Sequence, residues 1–221
     1  TVLGEIRSGY LAQPNQCPAA MIAEHTDFDG NLISLDAAAV ELLNVLRPIG
    51  AVGRFIVFAA LALHEHPEWK HIFGTGNEEH LENFVEEVRR VSPFFPFTGA
   101  VAARDIHWRD YHFTKGQWFL LDLYGTTHDP RLFPQPDSFR PERAVSWKNQ
   151  DWGFIPQGGG MAATSHRCPG EQITVEILKE AVRLLSAADY EVPPQDLRVK
   201  RNRIPALPES GFIISNIHQT T

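Results

Sequence analysis

Cys168 stands where a chain could hold a thiolate. It closes a loop running Phe154-Ile155-Pro156-Gln157-Gly158-Gly159-Gly160, then Met161–Ser165, then His166-Arg167-Cys168-Pro169-Gly170, and a helical pattern follows at once. Free amide N–H groups and the dipole at a helix start favour a thiolate over a thiol. Glycines on either side leave the backbone free to approach a flat ligand. A thiolate presented this way suits haem iron, onto which it pushes electron density and so favours O–O cleavage. The same residues serve other chemistries. A cysteine beside a glycine loop is commonly a core residue. His166 and Cys168 are half of a zinc site, although no second close pair of Cys or His accompanies them. A thiol near a base is also a nucleophile arrangement, and spacing alone leaves that reading open.

A second pair with chemical meaning is Arg47-Pro48, set in the apolar stretch that follows Ser34. Burying a guanidinium is costly without an anion, and a bidentate carboxylate fits its geometry best. Proline removes a ladder hydrogen bond, so Pro48 is expected to break the local helix ladder and help aim Arg47. From Leu35 to His64 there is no Ser or Thr.

The elements that position these residues follow from period and punctuation. Ser34 is a good N-cap for a central helix over about 34–64, apolar on nearly all sides and therefore expected in the middle of a fold. Pro67 ends it, and the nearby His64 and His66 read as a solvated helix end rather than a metal site. A helix over about 81–91 carries Glu86, Glu87, Arg89 and Arg90 before Pro93 and Pro96 stop it. Strand-like segments follow at Ala100–Ala103, Tyr111–Thr114 and Trp118–Leu123, with a turn at Lys115-Gly116. A Pro- and Gly-rich meander and the cysteine loop occupy about 125–170, a length usually tied to function. An amphipathic helix spans about 171–187, and short strands and turns complete the tail. Residues 1–33 are broken by Pro14, Pro18 and a turn at Asp27–Asn31, which lacks the far-end Glu of a calcium loop.

Composition bounds the rest. The chain has 221 residues and a formal net charge of −7, which argues against binding nucleic acid or anionic membranes. Its 43% hydrophobic content is ordinary for a globular domain. Thr1–Tyr10 lacks the apolar core behind a basic start expected of a signal peptide, and the apolar run Phe55–Leu63 is too short to span a bilayer. Two cysteines, Cys17 and Cys168, do not make a secreted disulfide framework, so a reducing, cytoplasmic setting is expected.

Taken together, these residues resemble the carboxy-terminal, haem-proximal half of a cytochrome P450. The haem loop of that superfamily runs from a Phe through a Gly and a spacer to Cys-x-Gly; Phe154, Gly158, Cys168 and Gly170 match it with a longer spacer. Its Glu-x-x-Arg helix matches Glu87 and Arg90, and the partner arginine of its meander matches Arg143 in Phe139-Arg140-Pro141-Glu142-Arg143. The absent helix alcohol, the Gly158-Gly159-Gly160 run and Arg167 before the cysteine are similar to the hydrogen-peroxide-dependent fatty-acid hydroxylases and decarboxylases of the superfamily. So are Leu120–Asp129 and Leu61–Pro67.

The resemblance implies a mainly α fold with small β elements, with residues 1–221 as one partial P450 domain. It implies haem b (iron protoporphyrin IX), Cys168 as the iron ligand, and Phe154, Gln157, Gly158, His166 and Gly170 around the cofactor. Glu87, Arg90 and Arg143 are implied as a buried ion-pair network. Arg47 and Pro48 are implied as catalytic, Arg47 anchoring a long-chain fatty acid, with Phe94, Phe95 and Phe97 near the acyl chain. Hydrogen peroxide is the implied oxidant, with no redox partner protein. A complete P450 is about twice as long, so the alternative is an incomplete, non-catalytic fragment. It would need a complementary amino-terminal segment to bind haem and substrate.

Overall fold

The computed structural model describes residues 2–11, 17–143 and 151–219, so Pro14 and residues 144–150 of the expected meander lie outside the described residues. The chain divides into two compact units, Thr1–Gly53 and Arg54–Thr221, where a single partial domain is expected from the sequence. The long helix α3 (Leu35–Glu65) runs from one into the other.

In the first unit, helices α1 (Val2–Arg7) and α2 (Pro18–Ala23) pack through Leu3 and Ala23 onto Ala38 of α3, with Ile6, Ile22, Ile33 and Leu42 around them. Pro18 opens α2, where its missing N–H costs nothing, and Cys17 Sγ accepts the amide of Ala20 at 3.4 Å. Arg7 ties the corner together by donating to the carbonyls of Ala23 and Ile33 at 2.6 and 2.9 Å. Asp27 Oδ1 accepts the amides of Asp29 and Asn31, so Asp27–Asn31 is a side-chain-closed turn.

Helix α3 starts at Ser34, whose Oγ accepts the amide of Ala37 at 3.1 Å. One expectation for it is corrected. It is not buried along its length: Val40, Leu43, Leu46 and Ile49 are exposed, Ile49 at 67%, and Arg47 is exposed with them. An apolar sequence marks a face that partners can cover, and among the described residues that cover is absent from this half of the helix. The interruption expected of Pro48 stays local, and the 31-residue helix continues through it. One missing donor removes one ladder bond, and the turns on both sides retain theirs. By length and composition α3 could also cross a bilayer, which the shorter apolar run Phe55–Leu63 does not suggest; core helices of soluble proteins pass the same test.

The second unit is organised around α5 (Leu81–Val91) and α7 (Glu171–Ala187). Both form over the residues expected. Phe55, Phe58 and Leu63 of α3 are buried here, as are Phe84, Val85 and Val88 of α5 and Val175, Leu178 and Val182 of α7. Pro67 opens α4 (Pro67–Gly74), which contributes Trp69 and Phe73. Phe84 meets Phe73 edge-on at 5.2 Å and Phe139 of the meander at 5.3 Å.

Three two-stranded antiparallel sheets lie around this core. Strand β1 (Phe97–Val101) pairs with β4 (Trp118–Asp122), Gly99 opposite Leu120. Strand β2 (Ile106–Trp108) pairs with β3 (Tyr111–Phe113), and β5 (Ala188–Glu191) with β6 (Ser215–Gln219). The sequence reading starts β1 three residues late and omits β2. Three residues are too few for a period to show, and the β2–β3 pairing is made by a turn at Arg109, whose φ is 50°.

Candidate functional site

Helix α5 buries four charges in five residues: Glu86, Glu87, Arg89 and Arg90 are each 0–1% exposed. Charges removed from water in this way are tolerated only when paired and fully hydrogen-bonded. Consecutive residues on a helix point about 100° apart, so the two (i, i+3) pairs, Glu87–Arg90 and Glu86–Arg89, face different neighbours and build two networks.

The first network joins α5 to the meander. Arg90 Nε and Nη2 meet Glu87 Oε2 and Oε1 at 2.7 and 2.8 Å. Arg143, in a 3-10 turn at Pro141–Arg143, donates from Nε to Glu87 Oε1 at 3.2 Å, and the Arg140 amide donates to the same oxygen at 2.9 Å. The remaining donors go to carbonyls: Arg90 Nη1 to Thr127, and Arg143 to Pro134, Gln135 and Ser138. Thr127 is delivered by α6 (Leu123–Thr127), which Asp122 caps by accepting the Gly125 amide at 2.6 Å. Phe133 lies under the Arg90 guanidinium.

The second network joins α5 to the cysteine loop and to α7. Arg89 pairs with both Glu86 and Glu171, and its Nε donates to Gln157 Oε1 at 3.0 Å. Glu171 takes a second partner, Arg167 Nη1, at 2.9 Å. Arg167 also donates to the carbonyls of Gly160 at 2.7 Å and Asp151 at 3.1 Å. Burial pushes the Glu86 carboxyl up to about 7 against the pull of Arg89, and its Oε1 has no hydrogen-bond partner among the described residues.

Cys168 sits two residues before Gly170, the N-cap of α7. It is half-buried and free of any disulfide. Its amide donates to the Gln157 carbonyl at 2.9 Å, and its carbonyl accepts the Glu171 amide at 3.2 Å. The approach of the two ends of the loop depends on Gly158. Its φ is +93°, and a Cβ there would stand 1.9 Å from the His166 carbonyl oxygen. Phe154 is buried completely beneath the Arg89 guanidinium. His166 is exposed, and among the described residues no hydrogen bond links it to Cys168, which removes the support for a base-activated thiol. Nor do the described residues contain a cluster of three His, Cys, Asp or Glu side chains suited to a metal.

The structure thus brings together Phe154, Gln157, Gly158, Cys168 and Gly170 in one loop, and Glu87, Arg90 and Arg143 in one network. Arg47 and Pro48 lie in the first unit. Phe94 is buried and packs against Phe55 at 4.6 Å and Phe95 at 4.7 Å, whereas Phe95 is 41% exposed and Phe97 opens β1. Sequence reasoning does not single out Arg89, Glu171 and the inward turn of Arg167. Spacing gives no warning of this, since the four charges of Glu86-Glu87-Val88-Arg89-Arg90 span a single helix face that solvent could equally well cover.

Comparison with known proteins agrees with this geometry. The family model described as Cytochrome P450 matches residues 76–212. The fold superposes on a single-residue mutant of cytochrome P450SP alpha (CYP152B1) at TM-score 0.89 and 42% identity, covering 100% of this chain and 54% of that one. Cytochrome P450EX alpha (CYP152N1) with myristic acid gives TM-score 0.86 at 39% identity, over 99% of this chain and 53% of that one. A mutant of cytochrome P450 OleT in complex with arachidonic acid gives 0.89 at 37%, over 100% and 52%. The chain spans about half the length of these structures. It spans 42% of the curated relative rhazimal synthase from Alstonia scholaris, to which it is 27% identical over 219 residues. The buried Glu-x-x-Arg pairs, the glycine-framed cysteine and these matches have one meaning: the chain belongs to the cytochrome P450 family, whose cofactor is haem.

Proposed function

We propose that this chain is the thiolate-bearing part of a cytoplasmic peroxygenase. It would use hydrogen peroxide to hydroxylate long-chain fatty acids at the alpha or beta carbon, with decarboxylation to a terminal alkene as a second outcome. The observation that carries this reading is the match over essentially the whole chain to structures holding myristic and arachidonic acid. The helix α3 composition supports it: a guanidinium at Arg47 and no hydroxyl side chain from Leu35 to Glu65.

The residues present fit haem. A free, half-buried thiol stands before a helix start, and a Cβ at Gly170 would come into van der Waals contact with Cys168 Sγ at 3.7 Å. Cys168 would be the iron ligand, with Phe154, Gln157, Gly158, His166 and Gly170 framing the cofactor. Haem, when bound, supplies a redox-active iron at which peroxide is cleaved. Arg47 would pair with the substrate carboxylate in the bidentate geometry that guanidinium favours. Held there, the carboxylate would relay protons in place of the hydroxyl that α3 lacks, and an anchored head group would leave the alpha and beta carbons nearest the oxidant. No redox partner protein is needed, because peroxide brings both oxygen and electrons.

Arg47→Ala in the haem-loaded protein tests the reading: peroxide-driven myristate oxidation is expected to disappear while the Soret band remains. Undiminished turnover of long-chain acids would overturn it. A second reading is favoured by the exposed row Val40, Leu43, Leu46 and Ile49: the chain acts only with a complementary amino-terminal P450 segment. Haem uptake that rises on co-expression with such a segment supports that reading, and uptake by this chain alone defeats it.

A further inference from the structure

We propose that Arg89, Glu171 and Arg167 are positioning residues for the Cys168 thiolate, a second buried charge network separate from the Glu87–Arg90–Arg143 set. The inference rests on the haem–thiolate reading and specifies what holds the ligand in place.

Two routes lead from this network to Cys168. One passes through the side chains of the loop. Arg89 Nε holds Gln157 Oε1 at 3.0 Å, Gln157 Nε2 reaches Thr174 Oγ1 of α7 at 3.4 Å, and the Gln157 carbonyl accepts the Cys168 amide at 2.9 Å. Helix α5 therefore grips the residue that bonds the cysteine backbone. The other route is covalent. Arg167 precedes Cys168 and is 5% exposed, its guanidinium turned inward to the carbonyls of Asp151 and Gly160 at the far end of the loop. Adjacent side chains diverge, so an inward Arg167 leaves Cys168 on the open side.

Glu171 connects the routes. One carboxylate oxygen meets Arg89 and the other meets Arg167 at 2.9 Å, and the residue lies in the first turn of α7, three positions after the cysteine. The two arginines would otherwise repel each other, and Glu171 between them fixes both. Glu86 meets Arg89 on its far side, and all four side chains of the set are buried and paired. A carboxylate that joins the loop start, the residue beside the thiol and the helix behind it sets position rather than mere cohesion.

The test compares three variants of the haem-loaded protein by the ferrous–CO spectrum, which reports thiolate ligation, alongside thermal unfolding. Glu171→Gln keeps shape and loses charge. Arg167→Lys keeps charge and loses the fork. Val182→Ala removes buried volume from α7 away from the loop. Both network variants are expected to raise the ratio of non-thiolate to thiolate species about tenfold, the loss of one charge-assisted hydrogen bond, while Val182→Ala destabilises without changing that ratio. Should Glu171→Gln fail to accumulate, Arg167→Lys carries the test. A wild-type ratio in the network variants, or an equal change in Val182→Ala, overturns the proposal. No Soret band in the unsubstituted protein overturns the haem–thiolate reading itself, and the positioning role with it.

Discussion

Replacing Gly158 by alanine strains the cysteine loop in two measurable ways. The residue has φ +93°, in a region where an L side chain costs about 1–2 kcal/mol. The added Cβ would also stand 1.9 Å from the His166 carbonyl oxygen and 3.2 Å from Arg167 Cα, both backbone atoms that no rotamer change can clear. Restoring a tolerable separation moves the His166 carbonyl by roughly 1 Å, and Cys168 is two residues away. The 2.9 Å bond from the Cys168 amide to the Gln157 carbonyl spans the same gap, and its loss adds about 0.5–1.5 kcal/mol. Together these come to about 1.5–3.5 kcal/mol, a fall in Tm of roughly 3–14 °C for a chain of this size. Thermal unfolding followed by circular dichroism gives the stability, and the ferrous–CO spectrum gives the fate of the thiolate, which is expected to lose its red-shifted band. A Gly158→Ala protein with unchanged Tm and an intact thiolate spectrum would refute the reasoning.

Two further outcomes are expected. Because burial raises the Glu86 carboxyl to about 7, the folded chain holds a proton there that the unfolded chain releases near 4.5. Stability therefore declines as pH rises between those values, by up to about 3 kcal/mol; Glu86→Gln should flatten that slope in denaturant titrations from acid to neutral pH, and an unaltered slope counts against the assignment. Phe94→Ala should cost about 3–5 kcal/mol, since the ring packs between Phe55 and Phe95; a loss under about 1 kcal/mol combined with a raised KM for fatty acid would instead place Phe94 in the pocket.

The sequence by itself determined the main helices and set out the loop that carries Cys168. Helix α5 was legible because Pro93 stops it, and α7 because apolar residues recur at helical spacing after Gly170. At Cys168 glycines, a helix start and a thiol coincide, but those residues alone left other chemistries open, and the resemblance to the P450 loop motif singled out the haem reading. These are local signals, carried by neighbours in the chain. Tertiary structure decided which charges are buried and whom they meet. Glu87 finds Arg143 56 positions away and Arg89 finds Glu171 82 positions away, distances over which no period or cap gives warning. The same holds for α3: its apolar sequence announces a surface to be covered, yet Ile49 and Arg47 are exposed, because burial belongs to the neighbours and not to the residue. A helix carries its own hydrogen bonds, and so its sequence can specify it. A buried ion pair needs two distant segments to meet, and only the folded chain brings them together.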